Sequence, residues 1–456
     1  MTLEKKISPL DDLAFSTKAI YIIEQVIAHM LIPFLMGALL LRARKEPAHL
    51  KHLVHRVGLG PVGPNQAIWI YAASLGETRA ASPLIYHLRS EGFNILLTHQ
   101  SPAGLAEGAR LFGKDTGVTQ CYIPLDFFWA IRLFLRRSKP VALVVIGIEI
   151  WPALLIETAR KKILVTLANG NLTKRANNST YYLRRKINDL YQLFSHIFTI
   201  TNSYRDRYLN IGVSPIHISV VGVLKFDQLI DPTHLLLSER LRSQFIGAKR
   251  ILMIASSVEA EEHLLLPMVA RLLLSDAALR VVWAPRSPQR FQAVADALSS
   301  MSIKVQKRST LGINMNTLLQ ETQVLVGDST GEMNVYYPLA DLVFVGASLN
   351  DWGGHNIIEP MALGCPVVMG PSTWGIDFAA EPASIAGAFE SLPDVTRLEA
   401  RIANLLADPT TLSQMGAAAT RFAKGRTGAA EKTCSGLKKL LQSPPSSQVV
   451  VSDKSI

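Results

Sequence analysis

From Ala67 onward, short β-branched runs alternate with amphipathic, helix-forming stretches, and this alternation constrains the fold more than any other feature of the chain. IWIYAAS precedes a helix-forming stretch from Gly76, NILLTHQ precedes one from Ser101, and VALVVIGIE (Val141 to Glu149) precedes one from Trp151. ILVTLAN and HIFTIT continue the series and HISVVG ends it. About five or six such βα units predict a doubly wound parallel sheet. A more polar stretch, Val223 to Lys249, separates this block from a second one carrying RILMIAS, LRVVWAP, TQVLVGD, LVFVGA and PVVMGP. Two Rossmann-like halves joined by a linker imply a cleft, with one substrate held by each half. In the second block, Gly327 to Pro371 reads as strand, Gly loop, helix, strand, Gly-rich loop, helix and strand. Two loops opening two helices at the carboxyl edge of a parallel sheet suit a phosphate and predict a nucleotide there.

Charge sharpens the division. The net charge of +11 is uneven: residues 1–222 hold 26 Lys and Arg against 14 Asp and Glu, and residues 223–456 hold 21 against 22. A basic first half suits nucleic acid, an anionic membrane or a phosphorylated substrate. The chain has no zinc-finger or RNP pattern and no basic–aromatic interleaving, which sets nucleic acid aside. Cys121, Cys365 and Cys434 are widely spaced, which fits a reducing compartment without a disulfide framework or zinc site.

Before the first block, Ala19 to Leu41 is apolar but broken by Glu24, Gln25, His29 and Pro33. Its uninterrupted part, Met30 to Leu41, is short of the roughly 20 apolar residues of a bilayer span. Arg42, Arg44, Lys45, Lys51 and Arg56 follow, so the segment reads as a monotopic anchor on an anionic leaflet; a buried N-terminal helix is the other reading. Acidic residues at Glu4, Asp11 and Asp12, with no small-residue cleavage site, do not fit a cleaved signal peptide. The expected organisation is an anchor over 1–45, a first Rossmann-like domain over 46–222, a second, nucleotide-binding Rossmann-like domain over 223–441 and a disordered tail over 442–456.

Candidate chemistry gathers at predicted strand ends. Ser74-Leu75-Gly76-Glu77 lies where the first strand's loop turns into a helix: Glu77 reads either as a general base or as an acidic residue favoured by the helix dipole. Glu149, just before Trp151-Pro152, reads either as a substrate contact or as a helix cap. In the second block, Gly353-Gly354-His355-Asn356 lets backbone N–H groups approach a phosphate, and Glu359 suits ribose hydroxyls. His355 and Glu359 have no third ligand nearby in sequence, so no metal site is expected. Asp328, Ser329, Gly331 and Glu332 form a similar loop, and Arg286 reads as a phosphate or base contact or as a solvated arginine.

Seven motifs in order, AASLGE (Ala72–Glu77), EIWP (Glu149–Pro152), NGNLTKR (Asn169–Arg175), LKFD (Leu224–Asp227), APRSP (Ala284–Pro288), GDSTGE (Gly327–Glu332) and GGHNIIEP (Gly353–Pro360), resemble those of the 3-deoxy-D-manno-octulosonate (Kdo) transferases of lipopolysaccharide assembly. The resemblance runs from the N-terminal anchor to about residue 430. It implies a GT-B scaffold, two Rossmann-like domains facing a cleft with an N-terminal membrane-associating helix, at the cytoplasmic face of the bacterial inner membrane. It also implies an inverting, metal-independent transfer of Kdo from CMP-Kdo to a phosphorylated glycolipid, a lipid A precursor, with no cofactor. By the same resemblance Glu77 matches the catalytic base. Ser74, Gly76, Glu149 and Lys225 fall on the acceptor side; Arg286, Ser329, Gly331, Glu332, Gly354, His355, Asn356 and Glu359 fall on the CMP side.

The chain departs from the family pattern at Val258 (a histidine in the family), Ser287 (histidine), Asn171 (arginine), Val223 (asparagine) and Ala347 (glycine), and in STWGIDF after Pro371, which lacks the usual asparagine. Each lost donor in a buried site is worth about 1–3 kcal/mol. These departures motivate a second reading, a divergent paralogue using another activated sugar or acceptor. A third, a membrane-associated binding protein without catalysis, is disfavoured by the retained Glu77 and GGHN.

Overall fold

The computed structural model describes residues 15–45, 50–147, 150–172, 188–245, 250–312, 315 and 317–442. The chain forms two compact units, residues 1–228 with 427–456, and residues 229–426.

The first unit is built on a seven-stranded sheet in the order β3-β2-β1-β4-β5-β6-β7. Its strands are β1 (Ile68–Tyr71), β2 (Ile95–His99), β3 (Val118–Tyr122), β4 (Ala142–Ile146), β5 (Leu164–Gly170), β6 (His196–Thr199) and β7 (Ile218–Val220). All pairings are parallel. A parallel sheet covered on both faces favours strands that are nearly continuous apolar runs, and β1, β2 and β4 are buried throughout, β2 including Thr98 and His99. Ile68, Ile70, Leu97 and Val144 pack on one face with Leu84 and Leu88, while Trp69, Tyr71, Leu96 and Leu143 pack on the other with Phe134 and Leu154. The one polar group in Trp69 is satisfied, its Nε1 donating to Thr98 Oγ1 at 2.8 Å.

The second unit carries a seven-stranded parallel sheet in the order β10-β11-β9-β8-β12-β13-β14. Here the strands are β8 (Arg250–Ser257), β9 (Leu279–Pro285), β10 (Val305–Lys307), β11 (Val324–Val326), β12 (Leu342–Val345), β13 (Val367–Met369) and β14 (Phe389–Ser391). Its core joins Ile254, Trp283, Val326 and Phe344 to Leu265, Val269, Ile402 and Leu405 of the flanking helices.

The domain boundaries expected from sequence differ from the units at the C-terminal side. The LKFD turn, Leu224–Asp227, belongs to the first unit, and the chain rejoins that unit at Thr427. The last helix, Ala429–Gln442, buries Ala429, Ala430, Cys434 and Leu437 against Leu84 and Leu88. Asp227 accepts from Gly428 N at 2.6 Å and Ala430 N at 2.7 Å, capping that helix. The expected tail over 442–456 lies outside the described residues, apart from Gln442.

The N-terminal segment forms two helices, α1 (Phe15–Met30) and α2 (Ile32–Lys45), and no described helix is long and apolar enough to cross a membrane. The inner face of α1 is held by Gln25, whose amide donates to Asp126 O at 2.9 Å and accepts from Phe128 N at 3.1 Å. Its outer face leaves Ile22, Ile23, Val26, Ile27 and Met30 exposed, followed by Phe34, Leu40 and Leu41. Lys51 is exposed as a basic hem requires, whereas Arg56 folds inward onto the Tyr122 ring at the end of β3.

Candidate functional site

Both sheets change direction beside their first strand. In the first unit the order reverses between β1 and β4, and in the second between β8 and β12, and ligands of doubly wound sheets bind outside the carboxyl ends at such points.

At the first switch point, β1 runs through Ala72-Ala73 into α3 (Leu75–Ser90). Ser74 caps α3: its Oγ accepts from Glu77 N at 3.3 Å, and its own N donates to Glu77 Oε2 at 2.9 Å. This reciprocal capping box is the helix-start role read from sequence for an acidic residue here. It also fixes a half-exposed carboxylate at the sheet edge, with Ser74 Oγ donating to Oε2 at 3.2 Å. Gly147, the residue after β4, has φ +88° and completes the setting: a Cβ there would stand 3.0 Å from Glu77 Oε1. Ser74 and Gly76 are exposed, and Lys225 is half-buried in the LKFD turn. Glu149 lies outside the described residues. Asn171, just past β5, has a buried Oδ1 without a partner among the described residues.

At the second switch point, the loop after β12 is built on Glu261. This fully buried carboxylate accepts from Val258 N at 3.0 Å, Ala347 N at 2.8 Å, Ser348 N at 3.2 Å and Leu349 N at 3.4 Å. Burial pushes its carboxyl above the ordinary value while the four amides pull it back. A Cβ on Gly346 would stand 2.3 Å from Glu261 Oε1, so glycine is required there. Ala347 adopts φ +59°, the left-handed conformation that explains why the family pattern has glycine at this place. The loop then returns on itself, Gly354 N donating to Ala347 O at 2.8 Å and His355 N to Gly346 O at 3.2 Å. Gly353 and Gly354 have φ +86° and +79°, and a Cβ on Gly353 would meet the Trp374 ring at 2.9 Å. Asn356 donates to Glu359 Oε1 at 3.1 Å and accepts from Ile358 N at 3.0 Å.

Around this loop, Arg286 stands exposed at the end of β9, its N donating to Ser257 O at 2.9 Å. After β11, Glu332 is engaged by Arg308 at 2.7 Å, by Ser329 Oγ and by the Tyr336 hydroxyl at 3.3 Å. Gly331 supplies φ +94°. Asp328 accepts from Ser309 N at 2.7 Å and Oγ at 2.6 Å. The helices expected from sequence after both loops are present as Met333–Tyr336 and Ile358–Ala362, about one turn each. One turn sums few peptide dipoles, which leaves the loops' backbone N–H groups and the exposed Arg286 as the candidate sources of positive potential there. Arg308 and the structural role of Glu261 escaped the sequence reading because their partners lie 24 and 86 residues away; Tyr336, whose partners Ser329 and Glu332 are local, was not singled out. Among the described residues, no group of three His, Cys, Asp or Glu side chains is placed to hold a metal.

Residues 51–228 match the family described as 3-deoxy-D-manno-octulosonic-acid transferase (kdotransferase). The chain is 32% identical over 378 residues to the 3-deoxy-D-manno-octulosonic acid transferase of Bordetella pertussis, covering 81% of this chain and 86% of that protein. It is 28% identical to the enzyme of the same name from Haemophilus influenzae over 417 residues, covering 90% of this chain and 96% of that one. Its fold resembles UDP-GlcNAc 2-epimerase from Neisseria meningitidis, with a TM-score of 0.59 at 15% identity over 82% of this chain and all of that one. Two Rossmann-like parallel sheets place the fold in the GT-B class. The extent of identity to the Bordetella enzyme, over most of both proteins, makes this chain a member of the 3-deoxy-D-manno-octulosonic acid transferase family.

Proposed function

We propose that the protein transfers Kdo from CMP-Kdo to a phosphorylated glycolipid, the lipid A precursor lipid IVA, with inversion at the anomeric carbon. The observation that carries this reading is the Glu77 carboxylate, fixed by Ser74 and half-exposed at the first switch point of a family member. Glu77 takes the proton from an acceptor hydroxyl as its oxygen bonds to the anomeric carbon. The bond from that carbon to the CMP phosphate oxygen breaks, and the electron pair leaves with CMP. Lys225, Ser74, Gly76 and Glu149 serve the acceptor side. Arg286 and the backbone N–H groups of the Ser329–Glu332 and Gly354–Asn356 loops stabilise the departing phosphate, with Glu359 on the ribose. These groups do the work of a metal, so EDTA should leave turnover unchanged.

The exposed apolar face of α1, with the exposed Arg44 and Lys51 following it in the chain, supports seating on an anionic membrane surface, the cytoplasmic face of the inner membrane in this reading. The test is CMP release from CMP-Kdo with a tetraacylated lipid A precursor in detergent, with the lipid product read by mass. Glu77→Gln should abolish product yet bind CMP as the wild type does. Glutamine keeps the acceptor oxygen of the capping box, so the helix start is retained. Loss of CMP binding in that variant would count against the role. The departures at Val258, Ser287 and Asn171 favour one alternative, a different activated sugar or acceptor on the same scaffold. With a different activated sugar, CMP-Kdo gives no thermal stabilisation and another nucleotide sugar does; with a different acceptor, CMP-Kdo stabilises the protein but the lipid A precursor gives no product.

A further inference from the structure

Arg56 lies in the last turn of the short 3-10 helix Leu53–Val57, and its guanidinium carbon lies 4.1 Å over the Tyr122 ring. One terminal N–H donates to Gln100 O. Those two neighbours place it at the carboxyl edge of the first sheet, since Gln100 follows β2 and Tyr122 ends β3. Gln100 N and Ser101 N both donate to Ala73 O at 3.1 Å, so the strand end that holds Arg56 is bonded to the residue just before Ser74. The side chain is only partly exposed, and no carboxylate among the described residues pairs with it. That sets it apart from Arg79, Arg89 and Arg132 of the same unit, which pair with Glu107, Asp115 and Glu157 at 2.7, 2.8 and 2.7 Å. Desolvating a guanidinium without a counter-charge costs free energy, and burial lowers its pKa as that cost requires. A planar fork stacked on an aromatic ring, with most of its five donors still available, is suited to a bidentate oxyanion.

We infer that Arg56 binds a phosphate of the acceptor beside Glu77 and so selects phosphorylated acceptors. This rests on the proposed transfer reaction and names a residue for its acceptor side. The test is steady-state kinetics of the full chain, comparing wild type with Arg56→Gln and Arg56→Lys on the phosphorylated acceptor and on the same glycolipid with its phosphates removed. Arg56→Gln should raise the acceptor KM at least tenfold, leave the donor KM and CMP affinity within twofold, and equal the wild type on the dephosphorylated acceptor. Arg56→Lys, which keeps the charge but not the fork, should recover part of the loss. An unchanged acceptor KM, an equal loss on the dephosphorylated acceptor, or a rise in donor KM alone would overturn the assignment. If the wild type turns over no such acceptor, the proposed reaction falls separately. Arg56 is then judged by thermal midpoint shifts with pyrophosphate in saturating CMP: stabilisation lost in Arg56→Gln sustains the anion site, and equal shifts overturn it.

Discussion

A buried carboxylate that gathers four amides is costly to place and more costly to alter, and Glu261 is the clearest single-residue case in this protein. Glutamine at this position offers one acceptor oxygen and turns an NH2 toward amides that are themselves donors, leaving buried N–H groups unpaired. Glu261→Gln should therefore destabilise the second unit by about 2–4 kcal/mol, read as a lower urea midpoint. Its ligand effect is separable: the loop from Ala347 to His355 loses its post, so CMP affinity of the folded variant should fall about tenfold while Glu77 chemistry at saturating donor stays near wild type. Isothermal titration with CMP, at urea concentrations where the variant remains folded, checks this. Unchanged affinity would mean that Gly354 N and Ala347 O hold the loop without Glu261.

At the level of elements, α1 is pinned by polar bonds on its inside and apolar on its outside, the reverse of a soluble surface helix. Replacing Ile23 and Ile27 with glutamate touches only exposed positions, so the urea midpoint should move by no more than about 0.5 kcal/mol equivalent. Co-sedimentation with anionic vesicles should fall at least tenfold, and retained vesicle binding would remove this face from the membrane reading. The strands show which elements a sequence displays. IWIY and ALVVI, buried on both faces, announce themselves as uninterrupted apolar runs. β3, β10 and β14 escaped notice because VTQCY, VQK and FES carry polar residues, as strands at or near a sheet edge can. The last helix packs its Ala429-Ala430-Cys434-Leu437 stripe into the first core and is capped by Asp227, a pairing across 201 residues that sequence spacing does not display. At the candidate site, Glu77 and the Gly353–Gly354 turn were visible because their partners are local. The role of Glu261 was not, since 86 residues separate it from Ala347, and Arg56 was read only as part of the basic hem, since 44 residues separate it from Gln100.

Over the whole molecule, His99 and His196 of the first unit and Glu261 of the second carry opposite pH signs. In the first unit, burial holds His99 neutral and pushes its pKa down from 6.5 to about 4, with Thr78 Oγ1 at 3.1 Å from Nδ1 and Gln120 beside the ring. Burial does the same to His196, which also feels His217 and lies 2.8 Å from Ser219 Oγ. The unfolded chain takes up these protons near pH 6.5 and the folded unit does not until about pH 4, so its stability is full above 6.5 and is lost as pH falls between those values. For His99 the loss amounts to about 3 kcal/mol at the lower limit; for the less buried His196 it is smaller. In the second unit Glu261 carries the opposite sign, because a carboxyl raised by burial binds its proton more readily folded than unfolded, which favours the folded unit on acidification through its own range. Mild acid should therefore open the first unit before the second. Hydrogen exchange read by mass, corrected for intrinsic rates, should show β2 and α3 losing protection between pH 7 and pH 5 while β8 and β12 keep theirs. In His99→Gln the first unit's pH dependence should flatten. A pH dependence as steep as that of the wild type would place the titrating groups elsewhere.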